Sequence, residues 1–268
     1  MEKSGAIGVF DSGVGGLSVL HHIRRTLPDE RLIYVADSGH VPYGDKTASY
    51  IEQRSIALTR FLLSQGAEAI VIACNTATAA AAATLRRDFQ CPIIGMEPAV
   101  KPAVAASRSG VVGVLATTGT LESARFAALL ERYGGEVEIV TQGCPGLVEQ
   151  VERGELHSQK TRDLIARYTA PLLDRGADTL ILGCTHYPFL TALIREVAGE
   201  GIVLVDTGAA VARHLQHRLQ TELPARVAGD ASTQFWTSGD AAQAARIMSV
   251  LWGEGVNAKQ LPPAFSGG

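Results

Sequence analysis

Four apolar runs of strand length punctuate the first hundred residues, at 6–10, 32–36, 69–73 and 92–96. None alternates strictly between apolar and polar positions, which is the pattern of strands buried on both faces of a parallel sheet. The stretches between them have helical length and period. In 45–65, Ile51, Leu58 and Leu62 fall at i, i+7 and i+11, with Asp45 as the expected N-cap and Gly66 as the C-terminal stop. Strands alternating with helices predict an α/β fold with a parallel sheet covered on both sides.

The pattern then repeats. Leu62, Leu63, Gly66, Ala67, Glu68, Ile70, Val71, Ile72, Ala73 and Cys74 match Leu172, Leu173, Gly176, Ala177, Asp178, Leu180, Ile181, Leu182, Gly183 and Cys184 at a constant offset of 110. Ile7-Gly8-Val9-Phe10 matches Val112-Gly113-Val114-Leu115 at offset 105, and Ile93, Ile94 and Glu97 match Ile202, Val203 and Asp206 at offset 109. Three matches in the same order predict two copies of one α/β unit of about 100 residues. A linker is expected at 97–109, where Pro98 and Pro102 bracket a polar stretch. From residue 207 onward the expectation is a helix carrying Val211, Leu215 and Leu219, a short strand at 234–237 and a helix at 241–252. Residues 260–268, with two prolines and a Ser-Gly-Gly end, are expected to be loose.

Length alone leaves one or two domains open at 268 residues, and the repeat decides for two lobes. Charge removes other classes: 24 basic against 27 acidic residues, with no block of five like charges, argues against a nucleic-acid footprint or a polybasic membrane patch. The apolar stretch 6–10 stops at Asp11, too short for a signal-peptide core, and the uncharged stretch 69–85 is broken by Asn75, Thr76 and Thr78. A cytoplasmic protein with four reduced thiols is the expectation.

Ligands of open parallel sheets bind at the carboxyl ends of the strands, and unusual chemistry stands there. After the first strand comes Asp11-Ser12-Gly13-Val14-Gly15-Gly16. As a dinucleotide fingerprint it fails, because Ser18 replaces the third glycine and Asp11 would face a pyrophosphate; as a turn it offers a carboxylate, a hydroxyl and backbone N–H groups to a small ligand. Cys74-Asn75-Thr76 and Cys184-Thr185-His186 each place a thiol where a strand gives way to a helix, whose N-terminus lowers thiol pKa values. Cys91 and Cys144 are expected only to pack. No CxxC spacing suggests a metal, and His214 and His217 read as a solvated helix face. A disulfide pair conflicts with a reducing compartment. Inverting a stereocentre, in contrast, requires a base on one face of a carbon and an acid on the other, and two facing lobes with one thiol each provide that geometry.

Ile7-Gly8-Val9-Phe10-Asp11-Ser12-Gly13-Val14-Gly15-Gly16-Leu17, Ala36-Asp37-Ser38, Pro42-Tyr43-Gly44, Ala73-Cys74-Asn75-Thr76-Ala77, Gly95-Met96-Glu97-Pro98-Ala99 and Gly183-Cys184-Thr185-His186-Tyr187-Pro188 resemble the motifs of the glutamate racemases, in the cofactor-independent aspartate/glutamate racemase superfamily. The resemblance covers residues 7 to about 210. It implies two pseudo-symmetric, doubly wound parallel-sheet domains with the active site in the cleft between them, the second (99–207) inserted into the first (1–98 plus 208–268). It also implies that Cys74 takes the proton from D-glutamate and Cys184 from L-glutamate, that Asp11 and His186 assist the thiols, and that Glu152 is a lesser candidate for a third helper. Substrate contacts carry over to Asp11, Ser12, Tyr43, Gly44, Asn75, Thr76, Thr185 and His186; Thr117, Thr118 and Thr120 occupy the second copy's counterpart of the Asp11 turn. No cofactor and no metal are implied. The sequence agrees that a pyridoxal Schiff base is not expected, since none of the five lysines (Lys3, Lys46, Lys101, Lys160, Lys259) ends an apolar strand. Glutamate is the implied partner, D-glutamate for peptidoglycan the implied product, and a homodimer one of the assemblies left open. Racemisation of aspartate or another small acid, and a catalytically silent amino-acid-binding protein, stand as alternatives.

Overall fold

The computed structural model describes residues 5–135, 137–225 and 230–267; Lys3 and Gly268 lie outside them. Among the described residues, ten strands form two parallel sheets. They are β1 (Ala6–Asp11), β2 (Arg31–Ala36), β3 (Ala67–Ile72), β4 (Ile93–Ile94), β5 (Val111–Ala116), β6 (Glu138–Gly143), β7 (Thr179–Leu182), β8 (Val203–Val205), β9 (Thr233–Thr237) and β10 (Ala258–Gln260). One sheet runs β10-β9-β2-β1-β3-β4 and the other β6-β5-β7-β8. Orders β2-β1-β3-β4 and β6-β5-β7-β8 are the same walk through a sheet, so the offset repeat of the sequence is a repeat of topology. Strands β9 and β10 extend only the first sheet.

Two-sided burial explains the unbroken apolar runs. In β1, Ile7 and Val9 pack with Leu17, Leu20 and Tyr34 on one face, while Ala6 and Phe10 pack with Leu58, Phe61 and Leu62 on the other. Each fully buried Leu, Ile or Phe contributes about 1.5–3 kcal/mol. Helices approach the sheet equally closely in both copies. A Cβ on Gly8 would lie 3.0 Å from Leu62 Cβ, and one on Gly113 would lie 3.2 Å from Leu172 Cβ. These are equivalent positions of the repeat, and glycine is what lets the helices Ala48–Ser64 and Gln159–Asp174 close in.

Three expectations are corrected. Thr47, not Asp45, caps the helix Ala48–Ser64: its backbone is extended and its hydroxyl accepts from Tyr50 N at 3.3 Å, while Asp45 ends a 3-10 turn, Tyr43–Asp45. The expected linker contains the helix Val100–Ala106, which tolerates Pro102 because that residue sits in the first turn, where N–H groups have no intrahelical acceptor. Residues 261–267 are not loose. Leu261 is buried, and the short helix Pro263–Ser266 sets Phe265 against Phe61, ring centroids 5.4 Å apart. No described helix is long and apolar enough to cross a membrane.

Candidate active site

Both strand-end cysteines line one narrow cavity between the sheets, with Ser12, Tyr43, Gly44, Asn75, Thr76, Thr117, Thr185 and His186. Cys74 follows β3 and Cys184 follows β7, so the carboxyl ends of equivalent strands in the two sheets converge on the same space.

The thiols differ in environment. Cys74 is the N-cap of the helix Asn75–Asp88, its sulfur accepting from Ala77 N at 3.4 Å. The helix N-terminus does not prevail as expected: burial pushes the thiol well above its ordinary value, the Asp11 carboxyl adds to this, and the Ala77 N–H opposes it only in part. Cys184 precedes a 3-10 turn, Tyr187–Leu190, rather than an α-helix, and its Sγ lies 3.7 Å from His186 Nδ1. On the far side of the ring, Nε2 lies 2.6 Å from Glu152 Oε1. A carboxylate only accepts, so Nε2 carries a proton there, and Nδ1 faces the thiol. Burial works against a charged His186, yet the hydrogen bonds with Cys184 and Glu152 outweigh it, and the ring is held well above the ordinary imidazole value.

In the turn after β1, three N–H groups are engaged: Ser12 N and Gly16 N each donate to Asp11 at 2.7 Å, and Val14 N donates to the distant Glu152 Oε1 at 2.7 Å. Its glycines make room rather than cradle phosphate. A Cβ on Gly15 would stand 2.2 Å from His186 Nδ1. Asp11 is fully buried behind Ser12, and it is Ser12 that lines the cavity. Thr185 Oγ1 reaches Asp11 Oδ2 at 3.3 Å, and burial raises the Asp11 carboxyl above the usual carboxylate range against the pull of His186.

Polar groups cluster on the remaining walls. Thr76, Thr117 and Thr120 join the two lobes in a triangle of hydroxyls, with Oγ1 separations of 2.9, 3.0 and 2.9 Å. Both amide atoms of Asn75 are buried without a hydrogen-bond partner among the described residues, the condition of a side chain waiting for a ligand. Thr118 stands apart, lining an adjoining hollow with Cys144. Burial pushes the Cys144 thiol up to about 12, as suits an inert packing residue, and Cys91 packs half-buried against the first lobe. A larger hollow of about 710 Å³ is also lined by Glu152 but contains neither thiol.

Sequence reasoning missed two contributors. Ser18 bridges the lobes, its hydroxyl donating to Gly15 O and lying 2.8 Å from Thr185 O. Asp37 accepts the Tyr43 hydroxyl at 2.6 Å and a two-point contact from Arg54. Arg54 carried a signal: it stands three residues after Ile51 and four before Leu58, on the apolar face of its helix.

Known proteins match this arrangement. The Asp/Glu/Hydantoin racemase family model matches residues 7–215. The glutamate racemase of Methylococcus capsulatus is 60% identical over 98% of this chain and 97% of its own length. Among solved structures, Escherichia coli glutamate racemase in complex with L-glutamate and the activator UDP-MurNAc-Ala superposes with a TM-score of 0.87 at 34% identity, over 96% of this chain and 97% of that one. A glutamate racemase from Bacillus anthracis gives 0.86 at 30%, over 98% and 99%. By the match of its motifs, its full length and its fold, this chain belongs to the Asp/Glu/Hydantoin racemase family.

Proposed function

We propose that the chain is a glutamate racemase that interconverts L- and D-glutamate by proton transfer between Cα and two thiols, without a cofactor. One observation carries the reading: two cysteines from equivalent strand ends of two sheets line a single cavity. Full-length relatives named for glutamate support it over aspartate.

With L-glutamate bound, the Cys184 thiolate takes the α-proton and becomes a thiol. Cys74 delivers its own proton to the opposite face of Cα and becomes a thiolate. The reverse sequence converts D-glutamate. His186, held by Glu152, faces the Cys184 sulfur and is placed to exchange a proton with it, while burial keeps Cys74 protonated. Asp11, raised by its own burial, is suited to receive the Cys74 proton in the other direction. The Asn75 amide, without a partner among the described residues, supplies a donor that stabilises charge on the substrate as the proton leaves, with the hydroxyls of Ser12, Thr76, Thr117 and Thr185 around it.

On this reading the lobes are 1–98 with 208–268, and 99–207, a division supported by the strand membership of the two sheets. The thiols must stay reduced to work, which supports a cytoplasmic enzyme. Its D-glutamate supplies peptidoglycan synthesis, a role that rests on the family resemblance. Purified protein given L-glutamate or L-aspartate, with products resolved on a chiral column, tests the function. D-glutamate from the first and little D-aspartate from the second is the expected result. Glutamate binding by calorimetry without any D-product would establish a silent binder instead.

A further inference from the structure

The C-terminal segment is tied to one wall of the cavity by bonds that neither the sheet nor the reaction demands. Beyond β10, three successive carbonyls are captured by side chains: Phe265 O accepts from Arg54 Nη2 at 2.8 Å, Ser266 O lies 3.0 Å from His40 Nε2, and Gly267 O accepts from Arg54 Nη1. The segment is also anchored by Leu261, whose N–H donates to Thr237 O at 2.8 Å, and by Phe265 on Phe61.

The side chains that hold these carbonyls also hold the loop between β2 and the helix Ala48–Ser64. Arg54 donates through Nε to Asp37 Oδ2 at 2.9 Å and through Nη2 to Asp37 Oδ1 at 2.7 Å. Asp37 Oδ2 in turn accepts the Tyr43 hydroxyl. His40 belongs to the loop itself, and its Nδ1 meets the Tyr50 hydroxyl. Arg54 and Asp37 are both buried, at 2% and 0% exposure. A planar guanidinium can serve a carboxylate and two carbonyls at once; an ammonium, with its donors at one point, cannot. Downstream, Pro42, Tyr43 and Gly44 line the cavity with both thiols, and a Cβ on Gly44 would stand 3.0 Å from Thr117 Cβ in the other lobe. A shift of this loop therefore opens the cavity wall where the lobes meet.

We propose that residues 262–267 form a strap that fixes the Pro42-Tyr43-Gly44 wall of the cavity through Arg54, Asp37 and Tyr43, with Arg54 as the positioning residue. This rests on the glutamate reading of the cavity. On that reading the wall, which lines the cavity and carries neither thiol, holds the amino acid equally in ground state and transition state, so loosening it raises KM while sparing kcat.

Three proteins decide it: the intact chain, a chain ended after Leu261, and Arg54→Lys. For each, KM and kcat are measured with both enantiomers, and backbone hydrogen exchange is followed at 38–46 and in β1 and β3. The shortened chain is expected to raise KM about tenfold for both enantiomers with kcat within about threefold, and Arg54→Lys to raise KM about three- to tenfold. Exchange accelerates at 38–46 and not in the strands. Should the shortened chain fail to fold, Arg54→Lys decides alone. An unchanged KM in a folded variant, or a fall in kcat at constant KM, overturns the strap. An intact chain inactive on glutamate would remove the substrate reading instead, leaving hydrogen exchange to decide: faster exchange at 38–46 in the variants supports the strap, and unchanged exchange overturns it.

Discussion

Cys74 and Cys184 occupy matching ends of matching strands, yet each meets a different partner. Cys74 caps a helix, lies beside the buried Asp11 and is held protonated by its surroundings. Cys184 faces an imidazole whose other nitrogen is held by Glu152. Duplication of an α/β unit supplies the two-fold geometry needed to reach both faces of a carbon. What was not kept symmetric is the set of groups around each thiol. A two-base racemase needs one thiol charged and one neutral at the start of each turnover, and which of them is charged differs between the two directions, so each thiol needs a proton partner of its own.

Removing either thiol should have the largest effect. Cys74→Ala and Cys184→Ala are each expected to lower racemisation by at least about 10³-fold with little change in thermal unfolding, and a variant with near-normal turnover removes that residue from the mechanism. Next come the helpers. His186→Asn and Asp11→Asn should each cost about 10²-fold in kcat/KM, the usual worth of a positioned acid or base. Because enantiomers have equal energy, kcat/KM must fall by the same factor in both directions, and steady-state rates from each side check this.

Reactivity sharpens the contrast further. Brief iodoacetamide treatment near neutral pH, followed by peptide mass analysis, should label Cys184 faster than Cys74, with His186→Asn slowing the former. Equal labelling, or Cys74 first, breaks the comparison. The smallest effect is on stability. His186 has a folded pKa above its unfolded value of about 6.5, so its pairing with Glu152 stabilises fully below that pH and is lost as pH rises through the raised value. Glu152→Gln should therefore lower stability by about 1–3 kcal/mol near pH 6, and the gap should narrow in alkaline solution when unfolding is followed by urea titration.

Much of the scaffold was legible because it is written in local terms. Apolar runs, their offset repeat and the cysteines at their ends need only neighbours in sequence to be recognised, and β1, β3, β5 and β7 fall where those runs lie. The strap was not legible. Its carbonyls belong to any residue, and Arg54, their main partner, lies 211 and 213 positions away. The prolines and glycines of the tail pointed the other way. The use of the glycines in the Asp11 turn was not legible for a related reason: they yield space to His186 and Glu152, and only the folded chain shows that neighbour. Thr47 was passed over because capping depends on a backbone that is extended at 47 and not at 45.

The central claim is that separate groups serve the two faces of Cα, and following deuterium from solvent tests it most directly. L-glutamate is converted in deuterated water, and both enantiomers are isolated at low conversion. The account predicts D-glutamate carrying deuterium at Cα while the remaining L-glutamate keeps its protium, because the thiol that delivers the new hydrogen is not the one that removed the old. D-glutamate that retains the original protium would show a single group working both faces and would contradict it.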